Sequence, residues 1–187
     1  INAGLPGVIS TGGFETLTFD ASLGADTLTV RNLRNSGLTS TTFNLGLASP
    51  GDASADTISF DGTSGGDTFT GSIARSGGAV TGLQLVETSG PTYLVTNAVR
   101  SEGDTLFVNG LAGDDVLTLA AIATTDPDVI AVRLFGGDNA DTLIGTPFVD
   151  YLDGGAGNDT FTGRKGLDTF VDVSATNTLI EQFDRDM

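Results

Sequence analysis

Gly154-Gly155-Ala156-Gly157-Asn158-Asp159-Thr160-Phe161-Thr162 satisfies every defined position of the nine-residue pattern G-G-x-G-x-D-x-U-x, in which U is a large apolar residue. Each residue type has a physical task. Glycines permit a tight turn whose carbonyl oxygens face inward, the aspartate adds a charged oxygen, and the eighth residue turns into a core. An all-oxygen donor set of this kind suits a hard cation, calcium above all.

The stretch belongs to a longer run. Four nonapeptides follow one another without a gap from Gly136 to Val171, with Asp141, Asp150, Asp159 and Asp168 in sixth place. Leu143, Leu152, Phe161 and Phe170 hold the eighth place, so the register persists even where the turn decays to Gly145-Thr146-Pro147-Phe148-Val149-Asp150. Further out, the phrase aspartate-threonine-apolar recurs at Asp26, Asp56, Asp67 and Asp104, now at irregular spacing. Gly62 to Asp67 and Gly110 to Asp115 keep the first and fourth glycines, whereas Gly51 to Asp56 lacks the fourth.

Between these turns lie short runs in which threonine alternates with apolar residues, bounded by Gly, Asp, Asn and Ser. The pattern predicts an all-β chain, with strands such as Thr27 to Leu33, Thr57 to Phe60, Thr68 to Thr70, Leu83 to Glu87, Thr105 to Val108 and Val129 to Phe135. Alternation sends the residue after each threonine inward and the threonines outward, as in one wall of a solenoid. The expected organisation is an irregular β-solenoid over residues 1–100, followed by a more regular calcium-binding tail over 101–187. A β-sandwich remains the alternative for the first half, because strand patterning fits both.

Composition narrows the chemistry. Over 187 residues there are 24 acidic and 8 basic side chains, a net charge of -16 that disfavours nucleic acid and anionic membrane as partners. With no cysteine and no histidine, thiolate and imidazole chemistry and zinc sites built on those ligands are excluded. No apolar stretch is long enough to span a bilayer as a helix. The start at Ile1, without an initiator methionine or a signal-like segment, is expected of a processed chain or a fragment of a longer surface protein.

The run from Gly136 to Val171 resembles the RTX, or hemolysin-type, calcium-binding repeat family. The resemblance implies a parallel β-roll in which consecutive nonapeptides form the two halves of a coil. Loops two repeats apart then stack on one edge and hold an ion between them. It implies a first site from Asp141 and Asp159 with the carbonyls of Gly137, Asn139, Gly155 and Gly157. Asn139 stands where the pattern has its fourth glycine and tolerates a left-handed backbone. The opposite edge would pair Asp150 with Asp168, where Pro147, Phe148, Arg164 and Lys165 disturb the turns. If the strand pair after Asp115 makes one enlarged coil, Asp115 joins Asp141 with the carbonyls of Leu111 and Gly113. Metal-free turns, in which a carboxylate bonds local amides, are the expectation for Asp26, Asp56 and Asp104. The segment Asn177 to Asp184 resembles the amphipathic cap of such solenoids, with Leu179, Ile180 and Phe183 covering the last coil.

The expected function is that of a non-enzymatic, calcium-binding structural module of a secreted or cell-surface protein: an adhesin, surface-layer or fibre component, with Ca2+ stapling its coils. Family resemblance implies type I secretion, and open strand edges invite self-association. The alternative is a polysaccharide-acting enzyme, or its non-catalytic part, with paired carboxylates assisted by Arg100 or Arg133. A third reading is binding to ice or another regular surface through stacked pairs such as Thr68 with Thr70 and Thr160 with Thr162, against the plain preference of threonine for exposed strand positions.

Overall fold

The structure is a computed structural model that describes residues 16–21, 23–46, 52–173 and 177–181. Two sheets face each other across one apolar core, and the chain passes from one to the other as it winds. The coils of the repeat region are simplest. β8 (Thr105–Ala112), β10 (Ala131–Asp138), β12 (Asp150–Ala156) and β14 (Thr169–Val171) stack as parallel neighbours in a six-stranded sheet. Between them in sequence, β9 (Val116–Thr118), β11 (Thr142–Ile144), β13 (Thr160–Arg164) and β15 (Thr178–Glu181) stack in parallel in the facing nine-stranded sheet. This is the parallel β-roll that the repeats imply.

The same winding governs the first half. β2 (Thr27–Arg31) and β4 (Thr57–Asp61) extend the six-stranded sheet in parallel, and β1 (Thr16–Asp20) and β3 (Ser40–Asn44) pair in parallel in the other. The first half is therefore solenoidal, and the sandwich alternative falls. Its irregularity is localised in one insertion. β5 (Thr68–Ser76) turns at Gly77-Gly78 into β6 (Ala79–Glu87), which pairs antiparallel with both β5 and β7 (Thr92–Thr96). Both turn glycines have positive φ (57° and 88°), the conformation a two-residue hairpin requires. β5 is thus much longer than the Thr68 to Thr70 run predicted from threonine alternation.

Burial follows the period of two. In β4 Ile58 and Phe60 are buried while Thr57, Ser59 and Asp61 are not. On the same sheet Leu106 and Val108, Leu134 and Leu152 continue the inward side chains through the roll, and Leu117, Leu143 and Phe161 face them in a column from the other sheet. At the far end Leu179 is in register with Phe161 yet 54% exposed, since β15 closes the sheet. The side chains of Ile180 and Phe183 lie outside the described residues.

Candidate metal centre

The aspartates that open the strands form ladders along the two edges of the solenoid. On one edge the N–H of Asp67 donates to Oδ1 of Asp115 (2.6 Å), that of Asp115 to Asp141 (2.8 Å) and that of Asp141 to Asp159 (2.9 Å). Asp159 N–H donates in turn to Oδ1 of Asn177 (2.8 Å), so an amide takes the place of the carboxylate on the last rung. The opposite edge links Asp26 to Asp56 (2.7 Å), Asp56 to Asp104 (2.8 Å) and Asp150 to Asp168 (2.9 Å) in the same way. The loops that the sequence pairs, Gly136–Asp141 with Gly154–Asp159 and Gly110–Asp115 with Gly136–Asp141, do lie on neighbouring coils.

Each carboxylate also folds back over the first glycine of its own turn. A Cβ at Gly154 would fall 2.5 Å from Asp159 Oδ2, and one at Gly145 equally close to Asp150 Oδ2. The same overlap recurs for Gly62 with Asp67, Gly110 with Asp115, Gly136 with Asp141 and Gly163 with Asp168. First glycine and sixth aspartate are one steric unit, which is why they travel together through the sequence. Of the second and fourth turn residues, Leu111 (φ 81°), Gly113 (112°), Gly137 (117°), Asn139 (79°) and Gly155 (84°) are left-handed. Through that geometry the carbonyls of Leu111, Gly137 and Asn139 lie against Gly137, Gly155 and Gly157 of the next coil, too close to admit a side chain. Leu111 is half exposed (49%) and gains little packing for its strained backbone. Leu111→Gly is expected to raise stability by up to about 1 kcal/mol, the left-handed penalty less the added freedom of the unfolded chain; a fall in the denaturant midpoint would contradict this.

What separates the aspartates is where their second oxygens go. Asp115, Asp141 and Asp159 are buried, and Oδ2 of each has no hydrogen-bond donor. Burial, with the neighbouring aspartate charges adding to it, pushes the Asp141 carboxyl up to about 7 and that of Asp115 to about 6, and raises Asp159 as well. Three stacked, donor-starved carboxylate oxygens flanked by inward carbonyls are the chemistry calcium accepts. Among the described residues no three acidic side chains converge on one point, so an ion here would draw on backbone carbonyls as well as carboxylates.

Other rungs are satisfied by protein. Asp150 receives the N–H (2.6 Å) and the hydroxyl (2.9 Å) of Thr146, the residue that replaced the second turn glycine. Asp104 receives the N–H groups of Asp56 and Val99 (2.7 Å), so each of its oxygens has an amide donor. Asp56 is different: buried, with Oδ2 lacking a donor, it resembles the repeat aspartates, and the surviving Gly51 and Asp56 of its turn were the only signal for it. Asp67 carries an arginine. The Arg34 guanidinium bonds Asp67 through Nη2 and Glu87 through Nε (2.6 Å), and Tyr93 donates its hydroxyl to the other Glu87 oxygen (2.8 Å). All but Arg34 are buried, and no sequence pattern pointed to this network. Arg100 and Arg133, the candidates for enzymatic assistance, have structural contacts: Arg100 with Asp128 and the carbonyls of Ile130 and Val149, Arg133 over the rings of Phe107 and Tyr151.

A comparison with protein families matches residues 135–170 to the RTX calcium-binding nonapeptide repeat. No curated protein and no solved structure matches the chain. Residues 135–170, whose coils carry the donor-starved Asp141 and Asp159, are thus four copies of the RTX calcium-binding nonapeptide repeat, a non-catalytic module that binds Ca2+.

Proposed function

We infer that this chain is a structural module of a secreted or cell-surface protein, such as an adhesin, surface-layer or fibre component, in which calcium ions staple successive coils. The reading rests on one observation: consecutive rungs Asp115, Asp141 and Asp159 each bury an oxygen without a donor. One ion would lie between Asp141 and Asp159 with carbonyls among Gly137, Asn139, Gly155 and Gly157. A second would lie between Asp115 and Asp141 with those of Leu111 and Gly113. On the other edge Asp150 and Asp168 make a weaker pair, because Thr146 already serves Asp150. Calcium at extracellular concentrations would complete the fold outside the cell, with no catalytic role for this module. Self-association into fibres or layers through the solenoid ends belongs to the same reading.

The division near residue 100 belongs to it too. Residues 1–100 form the irregular solenoid, and 101–187 the calcium-binding roll with its cap. Support comes from the edge itself, where Arg34 neutralises Asp67 and the next rung, Asp115, has an orphaned oxygen.

Asp141 serves both proposed sites and Asp159 one. Titration with calcium, followed by circular dichroism and calorimetry, is expected to show Asp141→Asn weakening binding by roughly tenfold or more, since affinity tracks the number of charged ligands. Asp159→Asn should have the smaller effect and Asp104→Asn almost none. Equal effects of all three would remove the proposed sites.

A further inference from the structure

The outward face of the nine-stranded sheet has a composition that calcium binding leaves unexplained. Across β5, β9, β11, β13 and β15 the register aligns Thr68, Val116, Thr142, Thr160 and Thr178 in one row. A second row aligns Thr70, Thr118, Ile144 and Thr162. Every member is β-branched, threonine except at Val116 and Ile144, and none is charged, in a chain whose net charge is -16. Of the charged residues on this outward parity, Asp20 and Arg164 sit at the turn ends of their strands, away from the rows. The six-stranded sheet is the opposite case, for Arg31, Asp61, Arg133 and Asp153 stand outward on it, together with Phe107, Phe135 and Tyr151.

The two rows form a lattice. Parallel strands set rungs about 4.8 Å apart, and alternate residues of one strand stand about 6.6 Å apart. β-Branching restricts χ1, so the hydroxyl and methyl groups repeat with little freedom. The aspartate ladder ties each coil to the next along the edge of the array. The register is unbroken from β5 to β13.

The chemistry of the array selects its partner. Without charge it has nothing to offer a phosphate, a lipid headgroup or an ionic mineral. Without aromatic rings it lacks the usual platform for stacking a sugar, which the other sheet carries. Threonine hydroxyls are too polar for the core of a stable protein interface. What remains is an ordered, uncharged lattice of hydrogen-bonding groups. We propose that the row from Thr68 to Thr178 and the row from Thr70 to Thr162 form an ice-binding face. The proposal rests on the calcium-stapled reading in that the array is regular only when the coils are stacked.

The test uses the full chain in calcium, its fold checked by circular dichroism, with thermal hysteresis and ice-crystal shape as readouts. The parent is expected to shape ice and show hysteresis. Thr160→Lys, within the first row, should abolish both, and so should Thr70→Lys at an exposed position where folding is not at stake. Thr57→Lys, outward on the six-stranded sheet, should keep both. Absence of hysteresis from the folded, calcium-loaded parent overturns the proposal, as does its survival in a folded Thr70→Lys variant. Binding to crystalline polysaccharide, or dimerisation in solution, lost in the same face variants while ice is ignored, would overturn it in favour of that partner. Loss of calcium-induced folding in the parent would instead refute the reading on which the face depends.

Discussion

Replacing Arg34 with methionine is expected to cost about 3–5 kcal/mol of stability, the loss that follows when one partner of a buried ion pair is removed and its charges stay behind. The size comes from what remains. Asp67 and Glu87 are 2% exposed each and both bind the same guanidinium, while Tyr93, buried beneath them, has its own ionisation pushed up by burial and by its bond to Glu87. Methionine fills much of the volume but leaves two carboxylates without a cation. Arg31→Met is the matched control, because Arg31 pairs with Asp61 at 3.1 Å while 79% exposed. Such a surface pair contributes only about 0–1 kcal/mol. Urea midpoints of the two variants measured in calcium decide the matter, and equal shifts would show that Arg34 is an ordinary surface partner.

Removing calcium is expected to reverse the dependence of stability on pH. In the ion-free chain the folded Asp141 and Asp150 carboxyls lie at about 7, and Asp56 and Asp115 at about 6, with burial the first cause in each. An unfolded aspartate titrates near 3.9. Folding therefore favours the proton: ion-free stability is highest below about pH 4 and is lost as pH rises through about 6 to 7. With calcium the requirement inverts, because the ion needs the unprotonated carboxylates, and its contribution fades as pH falls through that range. Each site held at a hundredfold excess over its dissociation constant adds about 2.7 kcal/mol. Thermal midpoints at pH 5 and pH 8, with calcium and with chelator, should slope in opposite directions. Parallel slopes would mean that the carboxylates and the ion do not share these sites.

Much of this arrangement was legible because a nonapeptide carries its own steric logic. Glycine at one, aspartate at six and an apolar residue at eight each answer to a contact that recurs through the repeat coils, so the loops stack where their spacing says. The φ of 79° at Asn139 follows from the same reasoning, asparagine being a tolerable substitute for glycine there. The β5–β6 hairpin escaped because Gly71 and Gly82 interrupt its alternation and its pairing is antiparallel amid parallel neighbours. Arg34 escaped for a different reason. It lies in the loop between β2 and β3, distant in sequence from Asp67 and Glu87, and no local pattern records a pairing made only by the winding of the chain.

Asn177 has a consequence beyond its hydrogen bond. A carboxylate on a rung presents a spare oxygen that asks for a cation, and so for another turn to help hold it. The carboxamide at Asn177 keeps the contact to Asp159 but adds no charge to that edge. In the calcium-stapled reading proposed above it would act as punctuation, limiting how many ions the edge recruits by the identity of one side chain. A protein built this way would carry the length of its ion-binding segment in its sequence, and exchanging that amide for an acid is the smallest edit that would lengthen it.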